Sequence, residues 1–201
     1  NAANSFGGTV TFTGANVALR DGTPLVVAAS TATGTLTLTS GGAITQTGAL
    51  GAVGNATFTG TDITLNNAAN AFGGTVGFTG ANVAITDSTP LVVAASTATG
   101  TLALTSSGAI TQTGALAITG NATLTGADIT LNNAANSFGG TVGFTGAAVA
   151  LTDSTALSLA AGTATGNLVL NSGGAVTQSG ALTVGGTTAV TATGADITLT
   201  N

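Results

Sequence analysis

Six aspartates, Asp21, Asp62, Asp87, Asp128, Asp153 and Asp196, are the only side chains of this 201-residue chain suited to acid–base work near neutral pH. The one cation is Arg20, and His, Cys, Lys, Glu, Tyr, Trp and Met are absent. Thiolate and imidazole catalysis, Schiff-base chemistry and His or Cys metal centres are thereby excluded. Carboxylate chemistry remains, and it needs two acids held together, about 5 to 9.5 Å apart in glycosidases. The aspartates instead form two spaced series, Asp21, Asp87 and Asp153 at even steps of 66, and Asp62, Asp128 and Asp196 at steps of 66 and 68. Members of one series, three coils apart in the architecture derived below, should lie about 14 Å from one another. They read as turn residues, as in Arg20-Asp21-Gly22-Thr23-Pro24, and as solvated strand positions. Hard-cation sites gather several carboxylates, so no metal, cofactor or catalytic residue is assigned, and the chain reads as non-enzymatic. A net charge of −5 excludes the basic surface that nucleic acid requires.

Amide side chains recur with the same spacing. Gln46, Gln112 and Gln178 alternate in phase with Ile44, Ile110 and Val176, which points them inward. A buried amide must be paired, so each is predicted to bond backbone at a corner loosened by the Ser40-Gly41-Gly42 type of turn. Asn67 and Asn133, with Asn70 and Asn136, are predicted to cap or ladder the Ala-Ala corner. Asn55-Ala56-Thr57 and Asn121-Ala122-Thr123 match a glycosylation acceptor, a pattern that an Asn- and Thr-rich chain also produces by chance. Arg20 stands where Thr86 and Thr152 recur and reads as drift on an exposed face.

The elements that position these residues are set by repetition. Asn-Ala-Ala-Asn-Ser-Phe-Gly-Gly at 1–8 returns at 67–74 with Ala71 for Ser5, and again at 133–140. One continuous segment, 1–201, therefore holds long repeats 1–66, 67–132 and 133–200, with Asn201 in phase with Asn67 and Asn133. Inside them, Thr-x-Thr-type segments start at 9, 35, 55, 75, 101, 121, 141, 167 and 189, about nine units averaging 22 residues. Their second column reads Val10, Leu36, Ala56, Val76, Leu102, Ala122, Val142, Leu168, Val190. The fourth reads Phe12, Leu38, Phe58, Phe78, Leu104, Leu124, Phe144, Leu170, Ala192. Both are apolar throughout and the fifth column is polar, so the strand period of two puts them on opposite faces.

No unit can enclose a core alone, so the units must coil over one another. The prediction is an all-β, right-handed parallel β-helix (β-solenoid) of about nine coils with three short strands per coil, roughly 43 Å long at the strand spacing. Stacked second and fourth columns would make one wall, with Phe12, Phe58, Phe78 and Phe144 as structural anchors. Val17 and Leu19, Ile63 and Leu65, and Val83 and Ile85 would make the next. Apolar runs such as 25–29 are far short of a spanning helix, so the chain is not predicted to span a membrane.

The strings Asn-Ala-Ala-Asn-Ser-Phe-Gly-Gly-Thr-Val, Gly-Gly-Ala-Ile-Thr-Gln-Thr-Gly-Ala-Leu at 41–50 and Ala-Asp-Ile-Thr-Leu-Asn-Asn at 127–133 resemble repeats of filamentous-haemagglutinin-like exoproteins and related giant bacterial surface adhesins. The resemblance covers the whole chain. It implies a shaft exported by two-partner secretion or an autotransporter route, displayed extracellularly on the bacterial cell surface, and serving adhesion or biofilm cohesion. Host or neighbour-cell surface glycans or proteins would be its partners. Open solenoid ends expose strand edges, so self-association is expected too, as a covalent tandem array or as chains stacked end to end with the coil of Asn1 continuing that of Asn201. Two rival functions are ice binding through outward Thr-x-Thr rows and carbohydrate binding. The middle Thr column runs Thr11, Thr37, Thr57, Gly77, Ala103, Thr123, Gly143, Val169, Thr191, so four of nine rungs lack the hydroxyl. The surface also lacks the acidic clusters and aromatic platforms of sugar sites.

Overall fold

A computed structural model describes residues 4–201. Every strand pairing in it is parallel and joins one turn of the chain to the next, which makes an all-β parallel solenoid of roughly ten coils. The first wall is a ladder running from Thr9–Val10 through Leu25–Val27, Ile44–Gln46, Ile63–Leu65, Val83–Asp87, Leu102–Ser106, Ala122–Thr125, Thr141–Gly146, Leu157–Ala164 and Val176–Gln178 to Ile197–Thr198. The second wall stacks Val17–Asp21, Leu36–Ser40, Ala56–Thr59, Thr75–Gly80, Leu91–Val93, Ile110–Gln112, Ile129–Leu131, Val149–Asp153, Leu168–Ser172 and Thr188–Ala192. Short strands close the coil: Thr13–Gly14, Ser30–Ala32, Leu50–Ala52 and Ala71–Phe72, then Ser96–Ala98, Leu116–Ile118 and Ser137–Phe138.

Alternation dictates the interior. Leu36, Leu38, Ile44, Phe58, Ile63, Leu65, Leu104, Ile110 and Leu170 are all buried, while the residues between them face out. Burying a side chain of this size is worth about 1.5–3 kcal/mol, and each coil contributes several. Phe58 meets Phe72 edge to face, with ring centroids 5.6 Å apart and planes at 63°. Phe78 and Phe144 are buried, whereas Phe12, on the first described coil, is half-buried.

The coil is shorter than the sequence unit. Thr9 pairs with Val26, Val17 with Leu36 and Thr177 with Thr198, and Thr75 again with Val92, so the register step varies between 17 and 21. The expected 22-residue coil, nine to the chain, is therefore corrected to roughly ten shorter ones. The interval between the starts at 9 and 35 contains one whole coil, Val17 to Leu36, plus the passage from Val10 to Val17 that carries the chain from one wall to the other.

That passage has a large consequence. The strand Thr9–Val10 belongs to the first wall, its equivalent Thr75–Gly80 to the second, and Thr141–Gly146 to the first again. Each long repeat winds three and a half coils, so identical segments of successive repeats sit on opposite sides. The predicted single column is accordingly divided. Leu36, Ala56 and Val76 stack on the second wall over Val17, Leu102, Ala122 and Val142 stack on the first, and Val10 lies under Val27. Ile63 and Val83 do share a wall, but Val17 is on the other. In the last repeat Val190 stacks on Leu170, a two-residue shift from the expected Leu168.

Candidate functional site

The most densely bonded polar groups are at the corners between walls. Asn70 is completely buried. Its Oδ1 accepts from Leu50 N and from Gln46 Nε2, both at 2.8 Å. Its Nδ2 donates to Gln46 Oε1 at 3.0 Å, Leu65 O at 3.0 Å and Thr86 O at 3.1 Å. One amide thus joins successive coils and meets the requirement that buried polar groups be paired. Asn136 repeats the arrangement with Gln112, Leu116, Leu131 and Thr152. Gln46 is half-buried and also donates to Gly48 O at 2.6 Å. That corner, Thr47–Ala49, follows the strand Ile44–Gln46 rather than preceding it, so the Ser40-Gly41-Gly42 turn is not the site of the bond. Gln112 does the same with Gly114 O, and Gln178 reaches Gly180 O at 3.2 Å and Asn201 O at 3.4 Å. Asn67 and Asn133 accept from the N–H two residues on, at Ala69 and Ala135, both at 2.9 Å.

Asp21, Asp87 and Asp153 are each 1% exposed, which corrects the expectation of solvated carboxylates. The signal was in the alternation, since Val17, Leu19 and Asp21 share one face of a strand. Each aspartate stacks on a buried serine, Ser40, Ser106 or Ser172. Each also holds a turn by accepting from the threonine two residues on, as Asp21 Oδ1 does from Thr23 N at 3.0 Å and Oγ1 at 2.9 Å. A second anchor is the backbone of the preceding phenylalanine, Phe6, Phe72 or Phe138. Burial works to raise the Asp21 pKa, but the donors at Thr23 and Phe6 outweigh it and hold the carboxyl below its ordinary value. At Asp87 burial prevails and pushes the carboxyl up, and Oδ2 is buried with no partner among the described residues. The half-coil offset puts Asp21 and Asp87 on opposite walls, so the separation derived from three whole coils does not apply.

The second series stitches the outside. Asp62 Oδ1 accepts from Asn82 N and Nδ2, and Asp128 Oδ1 from Ala148 N. Asn55, Asn121 and Asn167 accept similarly from the coil above. Asp196 is exposed. Among the described residues no group of three metal-ligating side chains occurs, and no helix is long and apolar enough to cross a membrane.

Two surface features stand apart from these polar networks. Thr86, Thr105, Thr125, Thr145, Thr163 and Thr183 stand in register on the first wall, an unbroken hydroxyl rail. The parallel row two residues earlier is Ala84, Ala103, Thr123 and Gly143, so the rail is single. An open apolar groove of about 550 Å³ lies between Ala52, Val53, Phe72, Pro90 and Val92.

A family model matches residues 14–79, 80–145 and 146–201 in succession. The chain belongs to DUF5649, a family of repeats of unknown function. The first two DUF5649 units each gather the longer strands on one wall, Val17–Asp21 to Thr75–Gly80 on the second and Val83–Asp87 to Thr141–Gly146 on the first, while the third sets Val149–Asp153, Leu168–Ser172 and Thr188–Ala192 on the second opposite the eight-residue Leu157–Ala164 on the first. The unit boundaries at 80 and 146 fall at the passages between walls. No curated protein and no solved structure matches the chain.

Proposed function

We propose that this DUF5649 chain is a structural shaft segment of an extracellular bacterial fibre or adhesin, acting by geometry and not by covalent chemistry. The supporting observation is the pair of uninterrupted parallel ladders enclosing one apolar core. Each added coil lengthens the rod by about 4.8 Å, and the ten steps of the first wall give about 48 Å. Uncharged Thr and Asn cover the outside, so rod length is insensitive to salt. Because each DUF5649 unit ends half a turn from where it began, a tandem array shows the same outer surface alternately on two opposite sides. Such a shaft can hold a binding tip off a cell, or join neighbours on both flanks, with cell-surface glycans or proteins as partners.

Electron microscopy of the purified chain tests this: straight rods of about 48 Å, or multiples of it, are expected at the strand spacing, with a length unchanged between low and high salt. Compact particles with no long axis would sink the shaft function. The threonine rail supports a second, ligand-presenting function in ice or carbohydrate binding. Thermal hysteresis with faceted ice crystals, or saturable binding to a glycan surface, lost on Thr125→Lys, would favour it over the shaft.

A further inference from the structure

The turns that lead from wall to wall are held alike at the two junctions between repeats, except at one oxygen atom. Ser88 N and Oγ donate to Asn70 O at 2.8 Å and 2.6 Å, and Ser154 N and Oγ to Asn136 O, both at 2.7 Å. From the coil above, Ser106 Oγ donates to Thr89 O and Ser172 Oγ to Thr155 O, again both at 2.7 Å. Each turn then closes on a buried carboxylate. At the second junction Asp153 divides its donors, with Thr155 N and Oγ1 on Oδ1 and Phe138 N on Oδ2. Asp21 divides them in the same way between Thr23 and Phe6. At the first junction all three donors, Thr89 N, Thr89 Oγ1 and Phe72 N, fall on Asp87 Oδ1, at 3.0, 2.9 and 3.3 Å. Asp87 Oδ2 is buried with no partner among the described residues.

A bare, buried carboxylate oxygen costs much less when it carries a proton than when it carries charge. The apolar groove of about 550 Å³ brings solvent to Phe72 and Thr89, the two residues that bond Asp87, and stops short of the carboxylate itself. Asp153, by contrast, lines an open groove of about 340 Å³ directly. We propose that the first junction is a proton-operated clamp: protonated, Asp87 holds the strand Ala71–Phe72 to the turn Ser88–Pro90, and ionised, it draws water in from the groove and releases the Phe72 edge. A proton on Oδ2 leaves Oδ1 as the acceptor for all three donors, so the closed form loses no bond. On ionisation that proton passes to bulk water. Burial, which pushes the carboxyl up, acts in the same direction. Among the described residues no other titratable side chain faces the clamp. The elements packed against Asp87 present Ser106 above it, Thr89 in the turn, and Phe72 and Asn70 below. Asp62 stands at the far end of the neighbouring strand Ile63–Leu65, bonded to Asn82. Asp128 is exposed and precedes Ile129 as Pro90 precedes Leu91, two coils higher and so about 10 Å along the axis. Residues 1–3, including the Asn1 of the expected end-to-end stack, lie outside the described residues and carry no titratable side chain.

The clamp goes beyond the shaft function, because it makes one joint of the rod responsive to pH while the ladders on either side stay closed. Amide hydrogen exchange of the purified chain, followed residue by residue from about pH 3 to about pH 7 and corrected for the intrinsic exchange rate, tests it. Protection of Phe72 and Thr89 is expected to fall by up to about tenfold per pH unit between 3.8 and the folded pKa of Asp87, and then to level off. Phe138 and Thr155 should keep theirs. Asp87→Asn retains an acceptor at Oδ1 and cannot ionise, so protection of Phe72 in that variant should not change with pH. Asp153→Asn should leave the Phe72 profile as it is in the parent, with circular dichroism as the check on folding of both variants. Protection at Phe72 that tracks Phe138 across the range, or that still falls with pH in Asp87→Asn, overturns the clamp. A parallel loss at core amides such as Leu38 and Leu104 also overturns it, since the whole chain would then be opening. Should Asp87→Asn fail to fold, the comparison of Phe72 with Phe138 in the parent decides alone. Compact particles in the microscope would remove the shaft function and leave that comparison intact.

Discussion

The two junctions between repeats are built from nearly the same sequence and are packed differently. At the first, Phe72 lies on Ala52 and the groove opens beside Val53, Pro90 and Val92, with Val53 67% exposed. At the second, Phe138 lies on a buried Ile118, and the positions matching Val53, Ala71, Pro90 and Val92 are Thr119, Ser137, Ala156 and Ser158. Beneath them, Phe58 is replaced by Leu124, so the edge-to-face pair exists only at the first junction. The carboxylates differ with their surroundings. Asp153 Oδ2 accepts from Phe138 N at 3.3 Å, whereas Phe72 N bonds Asp87 Oδ1 and leaves Oδ2 bare. The ladder tolerates both solutions because its backbone register does not depend on how the corner is filled. Side-chain volume is thus free to vary where the chain changes walls.

The largest expected effect comes from removing the rings. Phe72→Ala and Phe138→Ala should each cost about 3–5 kcal/mol in denaturant unfolding. A double-mutant cycle of Phe72 with Phe58 should return a coupling of about 0.5–1.5 kcal/mol, and a coupling of zero would mean the ring pair does not distinguish the first junction. An exchange of the two fillings comes next. Ile118→Ala should destabilise by about 2–5 kcal/mol, while Ala52→Ile should raise stability by about 1 kcal/mol by covering apolar surface in the groove. Loss of stability in Ala52→Ile would show that neighbouring side chains already close the groove.

The smallest effect is in pH dependence, and its sign separates two members of one aspartate series. Asp87 is raised above the ordinary value of 3.8 by burial, so the unfolded chain ionises more readily. Its contribution to stability is greatest below 3.8 and falls as pH rises through the folded value. Asp87→Asn should remove that decline. Asp21, held below 3.8 by the hydrogen bonds it accepts, contributes above 3.8 and loses that contribution as pH falls, so Asp21→Asn should flatten the acid limb. Chemical denaturation at a series of pH values from acid to neutral reads both slopes, and parallel slopes in the two variants would refute the distinction.

Much of this molecule was legible in order and little of it in angle. The alternation of Leu36 and Leu38 against Thr39 was enough to assign strands and a buried face, and the even spacing of the Asn-Ala-Ala-Asn motif was enough to infer stacking. The corners were half visible. Gln46 stood out as an amide in apolar phase and Asn70 as a corner amide, but they are far apart in the chain, and only the coil length brings them to 2.8 Å. Asp21 was misjudged because its turn neighbours, Gly22 and Pro24, suggested solvent while its strand phase placed it inside.

By itself, then, the sequence determined fold class, parallel stacking, the apolar interior and the absence of thiol, imidazole and amine chemistry. These follow from residue type and from a strand period of two, both local properties. Only the tertiary structure decided the coil length, the half-turn between successive DUF5649 units, and therefore which residues share a wall. The physical reason is that repetition along a chain records translation and not rotation. A segment that recurs at a fixed interval says nothing of the angle at which it returns, and that angle is set by how far backbone pairing and core packing carry the chain around each coil.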